Sequence, residues 1–257
     1  EVALSNIQRL AGGLRFGEPT VSRKQNPFAN PSALLLELDG VCHTLFGSHQ
    51  DDRFILGPVD LTIREGEVVF IVGANGSGKT TLAMLLLGLY QPEAGSVWLN
   101  GIEVTSDNVE QYRDHFSAIF SDFYLFEHLP SDGKNLLSDS AMKYVHMFGL
   151  EHKVKVTDGK FSTIELSSGQ RKRLALISAL LEDRKIYLFD EWAADQDPEF
   201  RRLFYTELLP SLKAQGKTVL AVTHDYMYFD CADRIVELKH GRLTRETRDM
   251  LFPQRTG

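Results

Sequence analysis

Cysteine is scarce in this sequence: 257 residues contain two, Cys42 and Cys231, far apart. That excludes a disulfide framework and a zinc-type ligand spacing, and it suits a reducing compartment. Long apolar runs are missing too. Nowhere do about 18 apolar residues follow one another, so no segment reads as a membrane span. A basic excess is also absent. The formal net charge is −7, which lowers the expectation of a nucleic-acid partner, because such proteins usually carry a basic stripe. The N-terminus shows no basic-then-apolar leader pattern, and no internal repeat or low-complexity tract appears. What is present is globular composition, 43% hydrophobic and 25% charged, on a length that builds one large α/β domain or two small ones.

Residues 1–33 mix Gly12, Gly13, Gly17, Pro19, Pro27 and Pro31 with little periodicity. They are expected to be a linker, with Val2–Leu10 the end of a helix arriving from a transmembrane region outside this sequence. From residue 34 to 257 the texture is that of a folded domain. Leu34–Leu38 and Val59–Ile63 read as strands separated by a polar, turn-rich stretch at Gly47–Arg53. Val68–Val72, Ile186–Phe189 and Val219–Val222 are continuous apolar runs, each followed by a helical pattern, which predicts buried parallel strands with helices on both faces. About 110 residues separate the first two of these runs, too many for one crossover. Residues 104–175 are therefore expected to form an inserted, mostly helical subdomain.

Gly73-Ala74-Asn75-Gly76-Ser77-Gly78-Lys79-Thr80 matches the phosphate-loop pattern G-x-x-x-x-G-K-[ST] at every fixed position, with Thr81 next along. The context agrees. The loop follows a strand and opens a helix carrying Leu82, Leu85, Leu86 and Leu89 at helical spacing, stopped by Pro92 and Gly95. Glycines let the backbone wrap closely around an anion, and consecutive N–H groups at a helix N-terminus point at phosphates. Lys79 is the expected partner of the β- and γ-phosphates, and the Thr80 hydroxyl a Mg2+ ligand. Gly216-Lys217-Thr218 repeats the ending of the pattern, but Ser211 stands at its first glycine and the tripeptide precedes a strand, so it is rejected as a phosphate site.

The strand Ile186–Phe189 ends in Asp190 and Glu191. Beside a phosphate loop, Asp190 is expected to hold Mg2+ through water and Glu191 to polarise the attacking water. Leu166-Ser167-Ser168-Gly169-Gln170 opens another amphipathic segment, and Ser167 with Gln170 has the spacing of a helix capping box.

The order of these motifs, ending in Val222-Thr223-His224-Asp225, resembles the nucleotide-binding domain of ABC transporters over residues 34–245. The resemblance implies a P-loop (RecA-like) α/β fold with a mixed core sheet, an antiparallel β subdomain and a helical insertion. It implies a homodimer sandwiching two ATP molecules, in which Ser167, Ser168, Gly169 and Gln170 act in trans and Ser167 and Gly169 touch the γ-phosphate. It also implies Glu191 as catalytic base and His224 as the histidine contacting the γ-phosphate. Asp197 matches the aspartate of the loop that crosses between subunits, and equally reads as a helix N-cap before Pro198.

Three departures from the family stand out. Ser168 replaces the commonest glycine. Ser121 stands where a Mg2+-sensing glutamine is usual, so that Asp122 or a bridging water takes over its reach. The adenine-stacking position falls on Leu45, leaving Phe46 beside it as the candidate ring. Phe120–Phe126, Ser167–Gln170 and Glu191–Asp197 look like the cyclic-peptide exporter branch, including exporters of lipopeptides and siderophore precursors. That branch implies a half-transporter whose own transmembrane domain contacts a peptide-like cargo, working at the cytoplasmic face of a bacterial inner membrane. Phe116, Phe120, Phe123, Tyr124 and Phe126 read either as subdomain core or as a groove for a short helix of the membrane half. An importer's ATP-binding subunit, a soluble ABC ATPase and a non-hydrolysing nucleotide sensor are the alternatives; the intact Glu191 and His224 weigh against the sensor.

Overall fold

The computed structural model describes residues 26–28, 35–46, 53–129 and 136–247. The expected incoming helix at Val2–Leu10 lies outside them. Two sheets organise the chain. One is antiparallel, in the order β2-β1-β4-β5, from β1 (Leu35–Phe46), β2 (Arg53–Arg64), β4 (Ala94–Leu99) and β5 (Ile102–Glu103). The other has six strands in the order β12-β11-β3-β10-β9-β6. These are β3 (Val68–Val72), β6 (Phe116–Ile119), β9 (Ile186–Asp190), β10 (Thr218–Val222), β11 (Arg234–Lys239) and β12 (Arg242–Thr247). Its neighbours pair in parallel except the β11–β12 hairpin.

The continuous apolar runs are explained by two-sided burial. Alternate side chains of β3, β9 and β10 enter opposite layers, because successive strand residues face opposite ways. Val69, Ile71, Leu188 and Leu220 pack with Leu82, Leu85 and Leu86 of α1 (Lys79–Leu86) and with Leu36, Leu61 and Ile63 of the antiparallel sheet. Phe70, Phe189 and Ala221 pack on the other side with Leu174 and Ile177 of α4 (Ser168–Leu181). Phe200 of α5 (Pro198–Leu203) and Leu212 of α6 (Leu209–Ala214) join that layer. Between α5 and α6 the chain makes one π-helical segment, Phe204–Leu208.

Two expectations change. The first two strands are longer than the apolar runs suggested, because β1 and β2 pair from Leu35↔Arg64 to Phe46↔Arg53 through register shifts around Val41. Gly40 lies in that irregular stretch with φ 58°. The stretch 104–175 is not wholly off the core either. Within it, α2 (Val109–Arg113) leads into β6, which pairs with β9 as the edge strand of the main sheet. The helical part beyond the sheet holds α3 (Leu136–Met147), the small hairpin β7 (Val156–Thr157)–β8 (Lys160–Phe161) and α4. Phe28 of the expected linker is packed down: it is buried in edge contact with Tyr112 and His115.

Candidate functional site: the strand ends around Lys79

β3, β10 and β9 are parallel neighbours, so their C-terminal ends lie side by side. Three segments therefore converge: the loop 73–80 after β3, Asp190–Glu191 at the end of β9, and Thr223–Asp225 after β10. Open parallel sheets bind ligands at such ends.

The loop is shaped by close approach. A side chain on Gly73, at φ 150°, would collide with Leu238 O and Ser77 Oγ at 2.4 and 2.6 Å. Gly241 N donates to Ser77 O at 3.0 Å, clamping the loop to the β11–β12 turn. Lys79 is buried, and its ammonium donates to Gly73 O and Ala74 O at 3.1 and 3.2 Å. It also lies 3.6 Å from Glu191 Oε1. His224 Nε2 approaches that same oxygen at 3.1 Å. Thr80 Oγ1 donates to Asp190 Oδ2 at 3.1 Å. Asn75, Gly76 and Thr80 are exposed at the rim, whereas Ser77 and Thr81 are buried.

Two features mark the place as built for a ligand. Ser77 Oγ and Asp190 Oδ1 are buried without a hydrogen-bond partner, a cost of roughly 1–3 kcal/mol each. Glu191 takes the left-handed conformation, φ 50°, which costs a non-glycine residue on the order of 1–3 kcal/mol. Its N–H bonded to Val222 O at 3.0 Å holds that turn. The orphaned carboxylate oxygen beside the Thr80 hydroxyl is a hard-oxygen donor set that fits Mg2+.

Burial raises the Asp190 carboxyl above its ordinary range. The Thr80 hydrogen bond opposes this, Glu191 adds to it, Lys79 opposes it, and Asp122 adds to it. A carboxyl with a raised folded pKa contributes stability below its unfolded pKa, and that contribution is lost as pH rises through the folded value. In buffer free of nucleotide and containing chelator, Asp190→Asn is therefore expected to melt no lower than the parent at pH 7. The advantage should shrink toward about pH 4. A lower thermal midpoint at pH 7 would mean that the ionised carboxylate is held by stabilising partners.

The sequence-derived residues do not all meet here. Among the described residues, no hydrogen bond or ion pair joins Ser167, Ser168, Gly169 or Gln170 to the loop 73–81. Ser167 caps α4 in a reciprocal box with Gln170, both bonds 3.4 Å. Asp197 caps α5 through Phe200 N at 2.9 Å and pairs with Arg173 of α4. Gln196 Nε2 donates to Gly169 O at 3.3 Å, so the two motifs are tied together. Ser121 is exposed in a turn; of the two neighbours, Asp122 is the one whose charge adds to the rise of the Asp190 carboxyl. Phe46 is 72% exposed. Phe54 lies against the loop: its ring atom would be 2.9 Å from a Cβ on Gly78. Sequence reasoning missed it because Phe54 belongs to β2 and reaches the loop across the fold. The rejected tripeptide serves structure: Lys217 bonds Asp183 Oδ1 at 2.5 Å and Thr218 opens β10.

The aromatic stretch divides. Phe116 is core and Phe120 and Phe123 pack against core layers, while Tyr124 and Phe126 stay exposed in edge contact at 4.8 Å. With Ala175 and Ala179 of α4 and Glu182 just after it, residues 116–119 and 123–126 line a groove of about 450 Å3.

A phosphate loop on a mixed sheet, with an acidic strand end and a histidine beside its lysine, defines a P-loop nucleotide-binding cassette. The model of the ABC transporter family matches residues 56–194, and the chain belongs to that family. It is 54% identical over 198 residues to the ATP-binding protein SyrD of Pseudomonas syringae pv. syringae, covering 76% of this chain and 35% of SyrD. It is 34% identical over 228 residues to the "Probable syringafactin export ATP-binding/permease protein SyfD" of Pseudomonas syringae pv. syringae (strain B728a), covering 82% of this chain and 34% of SyfD. The chain thus spans about a third of the length of these relatives. Among solved structures, a dimeric ATP-binding cassette in a post-hydrolysis state bound to ADP and Pi superposes with a TM-score of 0.66 at 26% identity. That match covers 84% of this chain and all of that one.

Proposed function

We propose that this chain is the ATP-hydrolysing domain of an ABC exporter half-transporter that closes as a homodimer on ATP to drive export of a peptide-like cargo. The observation that carries the reading is the convergence of Lys79, Glu191 and His224 on one oxygen, beside the Thr80–Asp190 pair. The loop amides and the Lys79 ammonium bind the β- and γ-phosphates, the ammonium giving up its carbonyl partners for phosphate oxygens. Thr80 and Asp190 would hold Mg2+, whose chemistry there would be to neutralise charge on the phosphates. Glu191 takes a proton from the attacking water, the water oxygen bonds to the γ-phosphorus, and the bond to the β-phosphate oxygen breaks, leaving ADP and phosphate. His224 orients the γ-phosphate from the other side of Glu191. Phe54 backs the loop at Gly78, and the exposed Phe46 is the ring proposed to stack on adenine.

Among the described residues, no hydrogen bond or ion pair joins Ser167–Gln170 to their own loop, which suits a role in trans on a second copy's nucleotide, with Asp197 crossing beside them. The groove edged by Tyr124 and Phe126 suits a short helix of the transmembrane half. The likeness to SyfD, by name a probable syringafactin exporter, supports the exporter branch; a lipopeptide or siderophore-precursor cargo and a place at the cytoplasmic face of the inner membrane are proposed with it. Closure with ATP and opening after hydrolysis follow if the closed state binds ATP better than ADP.

The experiment is the solution mass of the Glu191→Gln chain with and without Mg-ATP. A dimer only with Mg-ATP is expected. A monomer carrying bound ATP at high protein concentration would remove the sandwich and the trans role of Ser167 from this reading.

A further inference from the structure

Behind the strand ends sits a buried polar side chain that the proposed chemistry does not use. Tyr205 is 1% exposed, yet its hydroxyl lies 2.7 Å from Thr223 Oγ1 and 2.9 Å from Asp225 Oδ2. These are the residues on either side of His224. The donor count has one solution. Asp225 N donates to Thr223 Oγ1 at 3.0 Å, and an ionised carboxylate only accepts. Tyr205 therefore donates to Asp225, and the Thr223 hydroxyl donates to Tyr205. The three bonds close a ring that fixes the backbone carrying His224.

The phenol is well placed to keep that proton. Burial raises its pKa far above the usual tyrosine range, the Thr223 bond opposing and Asp225 adding to the rise. Its ring is fixed by stacking on Tyr228 at 4.5 Å and by edge contact with Phe70 at 5.7 Å. Arg201, four residues earlier, adds a second tie. One guanidinium nitrogen lies 3.4 Å from Asp225 Oδ1, and the other donates to Ala194 O and Gln196 O at 3.0 and 3.2 Å. Those carbonyls belong to the loop after Glu191. The π segment Phe204–Leu208 contains Tyr205, and such segments often accompany functional sites because they re-aim side chains within a helix.

We infer that Tyr205 and Arg201 are positioning residues, a clamp built on one helix that sets His224 against Glu191 for γ-phosphate cleavage. This deepens the reading given under Proposed function and rests on it. The ring predicts that turnover, not nucleotide binding, depends on a hydroxyl that never touches ATP.

The test is Tyr205→Phe in the 257-residue chain, which keeps the ring packing and removes the hydroxyl. A loss of about tenfold in kcat is expected, with KM and Kd for Mg-ATP within about twofold, as for a small misplacement of a reacting group. The NMR signals of the His224 ring, assigned by their loss in His224→Ala, should broaden or double without any nucleotide. In the His224→Ala background the further substitution should cost nothing more, because coupled residues are not additive. Leu212→Ala, a buried change on α6, serves as a destabilised control that keeps kcat well below its melting point. Thr223→Val opens the same ring from the other side should Tyr205→Phe fail to fold. Unmoved His224 signals overturn the clamp whether or not the chain turns over, and so does a fully additive loss in the His224→Ala background. If His224→Ala itself turns over like the parent, the role given to His224 fails instead.

Discussion

Lys79→Ala is expected to weaken Mg-ATP binding by about 10²- to 10⁴-fold, since hydrogen bonds to charged groups contribute roughly 1.5–3 kcal/mol each and two are lost. The lysine is 5% exposed, so its charge acts in a medium where water screens it little. It is also pre-positioned. Gly73 O and Ala74 O hold the ammonium at the loop, 3.6 Å from Glu191, and a phosphate oxygen replaces those partners without reordering the side chain. Alanine removes the charge and leaves two carbonyls facing the place where anionic oxygens would sit. Isothermal titration with Mg-ATP, alongside a melting curve to establish folding, measures the effect. An unchanged Kd in a folded variant would detach the phosphate role from this loop.

Legibility followed locality. Lys79, Thr80, Asp190, Glu191 and His224 stand in short strings whose meaning depends on a strand immediately before them, and β3, β9 and β10 are continuous apolar runs that two-sided burial requires. Their convergence needed only the parallel pairing that such runs imply. Tyr205 carried no signal: its partners Thr223 and Asp225 lie 18 and 20 residues on, and its aim depends on a π segment that a 3.6-residue periodicity does not announce. Phe54 was hidden for a related reason. It faces Gly78 only because β2 pairs with β1 up to Phe46↔Arg53, beyond the apolar stretch that marked β2 in the sequence. β6, four residues long, was absorbed into a predicted helical insertion because so short a run shows no period. The aromatic stretch has two readings, core or groove, and the structure combines them: Phe116 is buried yet lines the groove that the exposed Tyr124 and Phe126 edge.

Glu191→Gln should keep nucleotide binding and lower hydrolysis by about 10²- to 10⁴-fold, the range for loss of a general base. The amide preserves the shape of the side chain, so the left-handed turn at φ 50° and its bond to Val222 O are retained. What goes is the negative charge between Lys79 and His224 and the capacity to accept a proton. The two effects act in opposite directions on the two steps. Removing a carboxylate that faces incoming phosphate oxygens relieves repulsion in the bound state, so affinity for ATP should hold or rise. The barrier to water attack rises because the proton has nowhere to go. Phosphate release under saturating Mg-ATP, together with a binding isotherm, separates the steps. Turnover at the parent's rate with intact binding would place the base on another residue, and Asp122, close enough to raise the Asp190 carboxyl, would be the first to replace.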